Sequence, residues 1–339
     1  MKNKTNIRKY MLLFLSCLFV LVIGCNNDTN STGTTGNVEG IPVVTTLDVS
    51  NIGKYYATCG GEITSTGTAI VYARGVCWST SSTPTISDNK TTDENRLGIS
   101  KGDFTSVISG LAPNTKYYFR CFATNAKGTG YGNVMSFTTR QISTNNSFTD
   151  PRDGKVYETV TIGTQVWMAE NLAYLPSVVP SGTGSDTIPY YYVYDYNGTN
   201  VKEAKESLNY SVYGVLYNWK AATISCPPGW HLPTNAEWQQ LDNFLGGVGG
   251  KLKQTGTALW KSPNTGATNE SGFSALPGGY RVKQDDWFFD MGNNCYFWSA
   301  SEQNQYYAFY NQLNYSLGGF ITASKEVKEM GYSVRCIKD

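Results

Sequence analysis

The chain has 339 residues, with 27 Lys and Arg against 26 Asp and Glu, one His and eight Cys. At about 100–200 residues per domain, this length predicts two domains, each large enough for a hydrophobic core. A net charge of +1 with only 16% charged residues argues against a nucleic-acid-binding protein, which needs a basic stripe to neutralise phosphates. The single His excludes a multi-histidine metal site. Aromatic residues at 14%, together with 35 Gly, are typical of a loop-rich β protein rather than a helical enzyme.

The N-terminal segment has the pattern of an export signal. Four basic residues within 2–9 precede a largely apolar run over 11–23, which is too short to span a membrane comfortably. The run ends in Leu-Val-Ile-Gly before Cys25, a sequence that resembles a bacterial lipobox. This resemblance implies a signal peptide at 1–24 and a mature N-terminus at Cys25 that carries lipid, such as palmitate. The alternatives are an ordinary secretory signal that contains a cysteine and an uncleaved anchor.

The lipid predicted at Cys25 would attach the protein to a membrane. Residues 25–40 are rich in Asn, Ser, Thr and Gly and cannot bury enough apolar surface to fold, so we expect a flexible tether. The residue after Cys25 is not Asp, which favours sorting to the outer membrane, while exposure at the cell surface is left open by the sequence. Loss of residues 1–24 removes four basic residues and leaves 23 against 26 acidic ones, a net charge of −3, which strengthens the case against nucleic acid.

Residues 41–139 have the pattern of an all-β sandwich. Short β runs alternate with turn residues such as Gly, Pro and Asn, without a convincing 3.6-residue period. The predicted strands lie at 54–59, 68–78, 104–109, 116–124 and 134–139.

Residues 110–130 carry a Leu and a Pro turn that lead into a strand beginning near Tyr117, an order similar to the fibronectin type III signature. The resemblance implies that Tyr117 forms a tyrosine corner. Alternation along the strand places Phe119 and Cys121 in the core and Phe122 on the outside. Such domains are usually spacers or interaction modules, and the fold alone does not define a function.

A linker at 140–149 precedes a second module at 150–339 with a mixed pattern of helices and strands. A Gly-Thr turn within residues 155–172 predicts a β-hairpin. Residues at i, i+3, i+4, i+7 and i+8 over 213–221 define one face of a predicted short helix. Further strand-like pieces lie at 272–276, 295–300, 306–310 and 332–337.

The clearest local signal is Cys-Pro-Pro-Gly-Trp-His-Leu-Pro-Thr-Asn-Ala-Glu-Trp at residues 226–238. Thr234 and Glu237 have the spacing of a capping box, in which each side chain accepts a hydrogen bond from the other residue's N–H. Trp238 begins the buried stripe of the helix that follows, and a Gly-Gly pair ends it. His231 is expected to be a hydrogen-bonded structural residue, which would exclude Ser-His-Asp and Cys-His catalysis.

Several segments of the second module occur together and in order. They are 153–154, 160–172, 217–219, 226–238, 272–281, 298–299 and the closing Tyr-Ser-Val-Arg-Cys at 332–336. Together they resemble the Fibrobacter succinogenes major paralogous domain, found in secreted and lipid-anchored proteins of Fibrobacter and Bacteroidetes. The resemblance implies a C-type-lectin-like α+β fold, related to formylglycine-generating enzymes, and a role in binding or adhesion at the cell surface. The predicted fold class is therefore multidomain, with a fibronectin type III-like β-sandwich followed by an α+β lectin-like domain. We expect no cofactor.

The resemblance also bears on the cysteines. Lectin-like domains often tie an early strand or helix to the last strand, which implies a disulfide between Cys226 and Cys336. Formylglycine-generating enzymes instead rely on a reactive cysteine pair, for which Cys295 and Cys336 are the candidates, but a structural role of Cys336 is preferred. In the sandwich the sequence leaves the pairing open, and a bridge between Cys59 and Cys121 across the two sheets is preferred.

Candidate ligand-binding residues are aromatic and acidic side chains in two segments of the second module. They are Tyr190, Tyr192, Tyr194, Tyr280, Asp285, Asp286 and Trp287. Tyr and Trp offer large, rigid surfaces that stack against a carbohydrate or a partner protein, but alternating Tyr residues also fill the half-buried face of a strand. The acidic residues lack the spacing of calcium-binding motifs, so we expect a solvated loop and no metal site.

These patterns predict a lipid-anchored binding or adhesion protein of the cell envelope that is not an enzyme. A lectin-like head would be presented on a β-sandwich spacer, with a glycan or an envelope protein as ligand. The alternative is a structural or assembly subunit of the envelope, similar to a fimbrial accessory protein. A third hypothesis, an enzyme of the formylglycine-generating type, requires the Cys295 and Cys336 pair to be reactive.

Overall fold

A computed structural model describes residues 40–143, 146–282 and 287–339. By their contacts these residues belong to one unit, Glu39–Asp339. The predicted signal peptide and Cys25 lie outside the described residues. Within the described ranges, no helix is long and apolar enough to cross a membrane.

The first part of the described chain is built from strands. They are β1 (Val43–Ser50), β2 (Tyr56–Ser65), β3 (Val71–Ser79), β4 (Asn89–Lys90), β5 (Asp93–Ile99), β6 (Gly102–Ser109), β7 (Lys116–Asn125), β8 (Gly128–Tyr131) and β9 (Met135–Thr138). One sheet has the order β1-β2-β6; in the other, β3 pairs with β4, β5 and β7, and β7 also pairs with β8 and β9. All of these pairings are antiparallel. The two sheets share one core, so the predicted fibronectin type III-like sandwich is confirmed.

Strand β7 contributes the centre of the sandwich core. Cys121 is fully buried, as alternation predicts. The Ala112 N–H donates a hydrogen bond of 3.0 Å to the hydroxyl oxygen of Tyr117, which is the predicted tyrosine corner. Phe122 is buried as well, although alternation places it outside. Its partner on β3 is Gly75, which has no side chain to exclude the ring.

The predicted disulfide between Cys59 and Cys121 is wrong, because both cysteines are free thiols. The Sγ atom of Cys121 lies against Gly61, where an added Cβ would be only 2.5 Å away. Gly61 is two residues beyond Cys59 on the same strand, so the two thiols are offset along the sandwich. The Thr46 hydroxyl also donates to the Cys121 sulfur at 3.5 Å. Cys77 is also free and buried.

The second part of the chain combines strands and helices. The strands are β10 (Ser147–Thr149), β11 (Val156–Ile162), β12 (Gln165–Met168), β13 (Tyr191–Tyr192), β14 (Leu216–Tyr217), β15 (Trp230–His231), β16 (Gly278–Val282), β17 (Trp287–Met291), β18 (Asn294–Glu302), β19 (Tyr307–Asn314), β20 (Ile321–Val327) and β21 (Ile337–Lys338). The helices are α1 (Val201–Glu206), α2 (Leu208–Tyr213), α3 (Trp219–Ser225) and α4 (Asn235–Leu245), with a 3₁₀ turn at Gly249–Lys251. The predicted α+β class is confirmed, with short helices that the sequence pattern did not reveal.

Two larger sheets organise this module. One has the order β10-β11-β12-β21-β15 and the other has the order β17-β16-β18-β19-β20. The pairings are antiparallel except for β16 with β18. The predicted hairpin is β11–β12, in which Ile162 pairs with Gln165. Gly163 in its turn has a φ of 62°, a conformation that glycine adopts without a steric cost.

The predicted helix over residues 213–221 is wrong. Helix α2 ends before Gly214, whose φ of 76° interrupts the helix, and Leu216–Tyr217 form strand β14. The Asn218 side chain then accepts a hydrogen bond from the Ala221 N–H and begins helix α3 as its N-cap. The residues at the helical spacing therefore come from two short helices and a strand, and all of them except Lys220 are buried.

Two of the predicted strand pieces are not regular strands. At 272–276, Ala275 forms an isolated bridge, and the φ of 53° at Ser274 interrupts an extended backbone. At 332–337, regular pairing is confined to β21 at the end of the segment.

Helix α4 has the predicted ends. The Thr234 hydroxyl accepts a hydrogen bond from the Glu237 N–H, and the Glu237 carboxylate accepts one from the Thr234 N–H, so the capping box is confirmed. Gly246 has a φ of 71° and caps the C-terminus in the left-handed conformation. The buried stripe consists of Trp238, Leu241 and Leu245.

The disulfide between Cys226 and Cys336 is present, as the lectin-like resemblance implies. It joins the end of α3 to the residue before β21 and spans 110 residues of sequence. Cys295 is free and buried.

Candidate functional site

The sandwich and the second module meet at a cleft with a cavity of about 270 Å³. Its walls are the loop between β1 and β2, the hairpin β11–β12, helix α2, and loops near residues 254 and 274. The charged residues that line it are Lys54, Arg140, Lys155, Glu158 and Glu170, and the tyrosines are Tyr55, Tyr56 and Tyr210. Both modules therefore contribute polar and aromatic groups to one cavity.

Lys54 of the β1–β2 loop forms ion pairs across the cleft. Its ammonium lies 3.2 Å from a Glu158 carboxylate oxygen and forms a second, closer pair with Glu170. The hairpin places the two acids side by side, because the Ala169 N–H donates to the Glu158 carbonyl oxygen at 2.8 Å. The Glu158 N–H in turn donates to the Glu170 carboxylate at 2.8 Å. These side chains are at most 25% exposed, so solvent and salt screen the ion pairs less than they would on an open surface.

Two tyrosines of the sandwich also face the second module. The Tyr56 hydroxyl and the Gln254 side-chain amide exchange hydrogen bonds of 3.2–3.3 Å. Burial raises the pKa of Tyr56. Burial, and next the negative charges of Glu170 and Glu158, raise the pKa of Tyr55. Both phenols therefore present neutral hydroxyl groups to the cleft.

Lys155 places its ammonium among three tyrosine rings. Their centroids lie 5.3, 5.7 and 5.8 Å from Nζ and belong to Tyr55, Tyr157 and Tyr210 respectively. Burial lowers the pKa of Lys155, while the negative charge of Glu170 acts in the opposite direction. The rings attract the ammonium through their π faces, so its position in the cleft is defined.

The cleft residues were not among the predicted ligand-binding residues. Lys54 and Tyr55 lie where the sequence predicts the start of a strand, and Glu170 lies in the hairpin segment. Lys54 and Glu170 are 116 residues apart in the sequence. No local motif marks such a site, because it exists only once the two modules pack together.

Residues 160–338, more than half of the chain, match the Fibrobacter succinogenes major domain family. The chain belongs to this family. No curated protein matches it. Among solved structures it is similar to the sensor domain of the anti-sigma factor RsgI4 of Pseudobacteroides cellulosolvens, at 15% identity over 31% of this chain and 100% of that chain, with a TM-score of 0.23. It is also similar to the fibronectin type-III domain of human fibronectin type III domain containing protein 3, at 19% identity over 33% and 96% of the two chains, with a TM-score of 0.21.

Within the Fibrobacter succinogenes major domain, the predicted aromatic residues do not form one surface. Tyr192 lies in β13 and is fully buried. Its hydroxyl donates a hydrogen bond to the Thr183 carbonyl oxygen at 2.7 Å, and the Arg281 guanidinium covers its ring at 4.5 Å from the centroid. Its prediction as a ligand-binding residue is therefore corrected to a core residue. Tyr190 is half-buried, and its N–H donates to the Asn218 side chain at 2.9 Å.

Tyr194, Tyr280 and Trp287 lie around the β16–β17 pair of this domain, but on different faces. Tyr280 pairs with Phe289, and their ring centroids are 5.8 Å apart. Trp287 is two residues from Phe289 on the same face and is 66% exposed. Tyr194 packs instead on Phe288 of the opposite face, with ring centroids 4.9 Å apart. The hairpin therefore separates Tyr194 from the other two candidates.

The acidic candidates Asp285 and Asp286 lie outside the described residues. Close by, Asp290 accepts hydrogen bonds from the Asn294 side chain and the Tyr296 hydroxyl, both at 2.7 Å. In the part of the chain that the structure describes, no group of three His, Cys, Asp or Glu side chains could hold a metal ion.

His231 is engaged at both ring nitrogens. Nδ1 lies 2.6 Å from an Asp339 carboxylate oxygen, and Nε2 lies 2.8 Å from one of Glu237. Partial burial alone would lower the pKa of His231, but the hydrogen bonds to Asp339 and Glu237 outweigh it and raise the pKa. Since both nitrogens are occupied beside the capping box of α4, the geometry supports a structural role.

Proposed function

We propose that this chain is a lipid-anchored binding protein of the cell envelope that holds a saccharide unit between its sandwich and its Fibrobacter succinogenes major domain. The cleft itself carries this proposal, because both modules supply polar and aromatic side chains to one cavity of about 270 Å³. That volume lies near the lower end of ligand pockets, which hold about 300–1,000 Å³, and suits a small ligand. The sandwich then forms one wall of the binding site and is more than a spacer.

The chemistry of the cleft favours a saccharide over a protein surface. A sugar ring offers hydroxyl groups around its edge and C–H groups on its faces. Glu158 and Glu170 supply acceptors for hydroxyl groups and the Tyr55 hydroxyl supplies a donor, while the rings of Tyr55 and Tyr210 supply flat apolar surfaces. A stable protein partner would instead bury about 1,200–2,000 Å² in total, which needs a surface far larger than this cavity.

The cysteines support a binding protein rather than an enzyme of the formylglycine-generating type. Cys336 is bonded to Cys226 and cannot form a reactive pair with Cys295. Burial raises the pKa of the Cys295 thiol to about 12, which suppresses the thiolate that such chemistry needs. Burial likewise raises the pKa of Cys59 to about 12 and that of Cys77 to about 11.

Membrane attachment through Cys25 predicts a change in location when that thiol is removed. In cells that express the full chain, Cys25→Ala is expected to move the protein from the membrane fraction to the soluble fraction, because the lipid chains supply most of the affinity for the bilayer. Cell fractionation with immunodetection measures the shift. Cys17→Ala, which lies in the predicted signal peptide, is the matched control and should leave the protein in the membrane fraction. Retention of Cys25→Ala in the membrane would contradict lipid attachment at this residue.

Saccharide binding is tested with the full chain carrying Cys25→Ala, by calorimetric titration with a panel of neutral and acidic monosaccharides and disaccharides. Tyr55→Ala is expected to weaken binding about tenfold, because it removes an aromatic contact from the cleft. Tyr72→Ala is the control, since Tyr72 is 46% exposed on strand β3 of the same sandwich and does not line the cleft.

Two results would count against the cleft as a saccharide site. One is the absence of binding across the panel, and the other is equal affinity for the parent chain and Tyr55→Ala. Crosslinking in the native membrane to another envelope protein would then favour the alternative function, a structural or assembly subunit.

A further inference from the structure

Among the described residues, the Lys155 ammonium faces the cleft without an ion pair, although the more distant Glu170 carboxylate acts on it. Among the described residues, no carboxylate and no hydrogen-bond acceptor lies within bonding distance of its Nζ atom. We propose that this ammonium binds the carboxylate group of an acidic saccharide, a uronic acid unit, which names the ligand class of the site and so rests on the proposed function.

The contrast with Lys54 shows why Lys155 is the residue available to a ligand. Lys54 lies in the same cleft, but its charge is offset by Glu158 and Glu170. Lys155 is surrounded by tyrosine rings, which attract a cation but do not neutralise it. Partial burial of an ammonium that has no ion pair is unfavourable, and a bound anion relieves that cost.

Two of the three rings around Lys155 are held in place by hydrogen bonds at one residue. The Tyr210 hydroxyl donates to the Ala173 carbonyl oxygen at 2.9 Å, and the Ala173 N–H donates to the Tyr157 hydroxyl oxygen at 3.0 Å. Tyr55 closes the third side from the sandwich. The ammonium is thus positioned before a ligand arrives, which reduces the entropy that binding must overcome.

The charges of the cleft match a single negative charge on the ligand. Lys54, Arg140 and Lys155 face Glu158 and Glu170, which leaves a net charge of +1. A carboxylate carries one negative charge and balances this site. A phosphate ester carries about −1.5 to −2 near neutral pH and would add repulsion from the two glutamates. The Lys155 ammonium is also a single point of charge, whereas the guanidinium of an arginine can donate two parallel N–H hydrogen bonds to a phosphate.

The test uses the full chain with Cys25→Ala and two matched pairs of sugars, galacturonate with galactose and glucuronate with glucose. Each acidic sugar is expected to bind at least about tenfold more tightly than its neutral partner, because it adds a charge-assisted hydrogen bond. Lys155→Met is expected to weaken binding of the acidic sugars by about 10- to 100-fold and binding of the neutral sugars by a much smaller factor, so that the preference for the acidic sugar of each pair is lost. Lys155→Arg, which keeps the charge, should retain part of the preference for acidic sugars.

Lys101→Met is the control variant, because Lys101 is exposed between β5 and β6 and does not line the cleft. It should bind every sugar as the parent chain does. A second measurement needs no variant: limited acetylation followed by mass spectrometry reports which lysines a ligand shields. Galacturonate is expected to protect Lys155 and not Lys101, and galactose should protect Lys155 less.

The results separate this inference from the proposed function. If neutral and acidic sugars bind equally and Lys155→Met binds both as the parent does, the carboxylate assignment is overturned and the saccharide site stands. If glucose 6-phosphate binds more tightly than glucuronate, the carboxylate assignment is likewise overturned. If no sugar binds and acetylation of Lys155 is unchanged by every sugar, both proposals fail.

Discussion

Replacing Cys226 and Cys336 together by alanine is expected to lower the free energy of unfolding by about 4–5 kcal/mol. The bridge closes a segment of 110 residues, which includes helix α4 and strands β16 to β20. In the chain-entropy treatment, a loop of this length loses many conformations in the unfolded state when its ends are joined. The effect is large compared with the total stability of an ordinary domain, about 5–15 kcal/mol.

Urea denaturation of the parent chain and the double variant measures this difference. The parent chain in dithiothreitol is a control without mutation and should unfold like the double variant, whose own transition should not respond to the reductant. The four free thiols described in the structure are buried and unpaired, so reduction does not act on them. Equal stability of the oxidised parent and the double variant would show that the bridge does not constrain the unfolded chain.

Local signals predicted those parts of the fold that depend on neighbouring residues. The capping box of Thr234 and Glu237 requires two side chains three positions apart, and the β11–β12 hairpin requires a turn of two residues. Such features form from short-range contacts whatever surrounds them. The Cys226–Cys336 bridge was different, because only resemblance to lectin-like domains implied it, and the structure contains it.

The predictions that failed depended on long-range register. Cys59 and Cys121 face one core, but the relative position of the two packed sheets decides which residues meet. Gly61, not Cys59, lies opposite Cys121, so the predicted disulfide does not form. The alternating Tyr run that contains Tyr192 suits either a ligand surface or the half-buried face of a strand, and in the structure Arg281 covers the Tyr192 ring. Sequence pattern shows which face a side chain occupies, and tertiary packing decides what covers that face.

The cleft was beyond prediction for the same reason. The Lys54 ammonium and the Glu170 carboxylate approach each other only because the β1–β2 loop of one module packs on a hairpin of the other. Each segment, considered alone, has the composition of an ordinary turn or strand. The function of a two-module protein can therefore reside in the contact between modules that are separately recognisable.

Arg335→Met is expected to destabilise the Fibrobacter succinogenes major domain by about 3–5 kcal/mol. Arg335 is fully buried and donates to the Asn171 side chain at 2.8 Å, to the carbonyl oxygens of Met168 and Ser274 at 3.2 and 3.1 Å, and to that of Phe273. These bonds attach the end of β12 to an irregular loop, and the loop has few regular pairings of its own.

Two opposing effects decide the size of the change at Arg335. Burial of the guanidinium is unfavourable and lowers the pKa of Arg335 to about 9, so a neutral Met recovers some free energy. Met cannot donate hydrogen bonds, however, and each buried acceptor left unpaired costs about 1–3 kcal/mol. With four acceptors affected, the loss exceeds the gain.

Arg335→Lys should recover less than half of the loss, because one ammonium cannot reach acceptors spread around a planar guanidinium. Arg140→Met, at an exposed arginine, should change stability by less than about 0.5 kcal/mol. Thermal and urea denaturation of the four proteins measures these values, and parent-like stability of Arg335→Met would contradict the role assigned to this arginine.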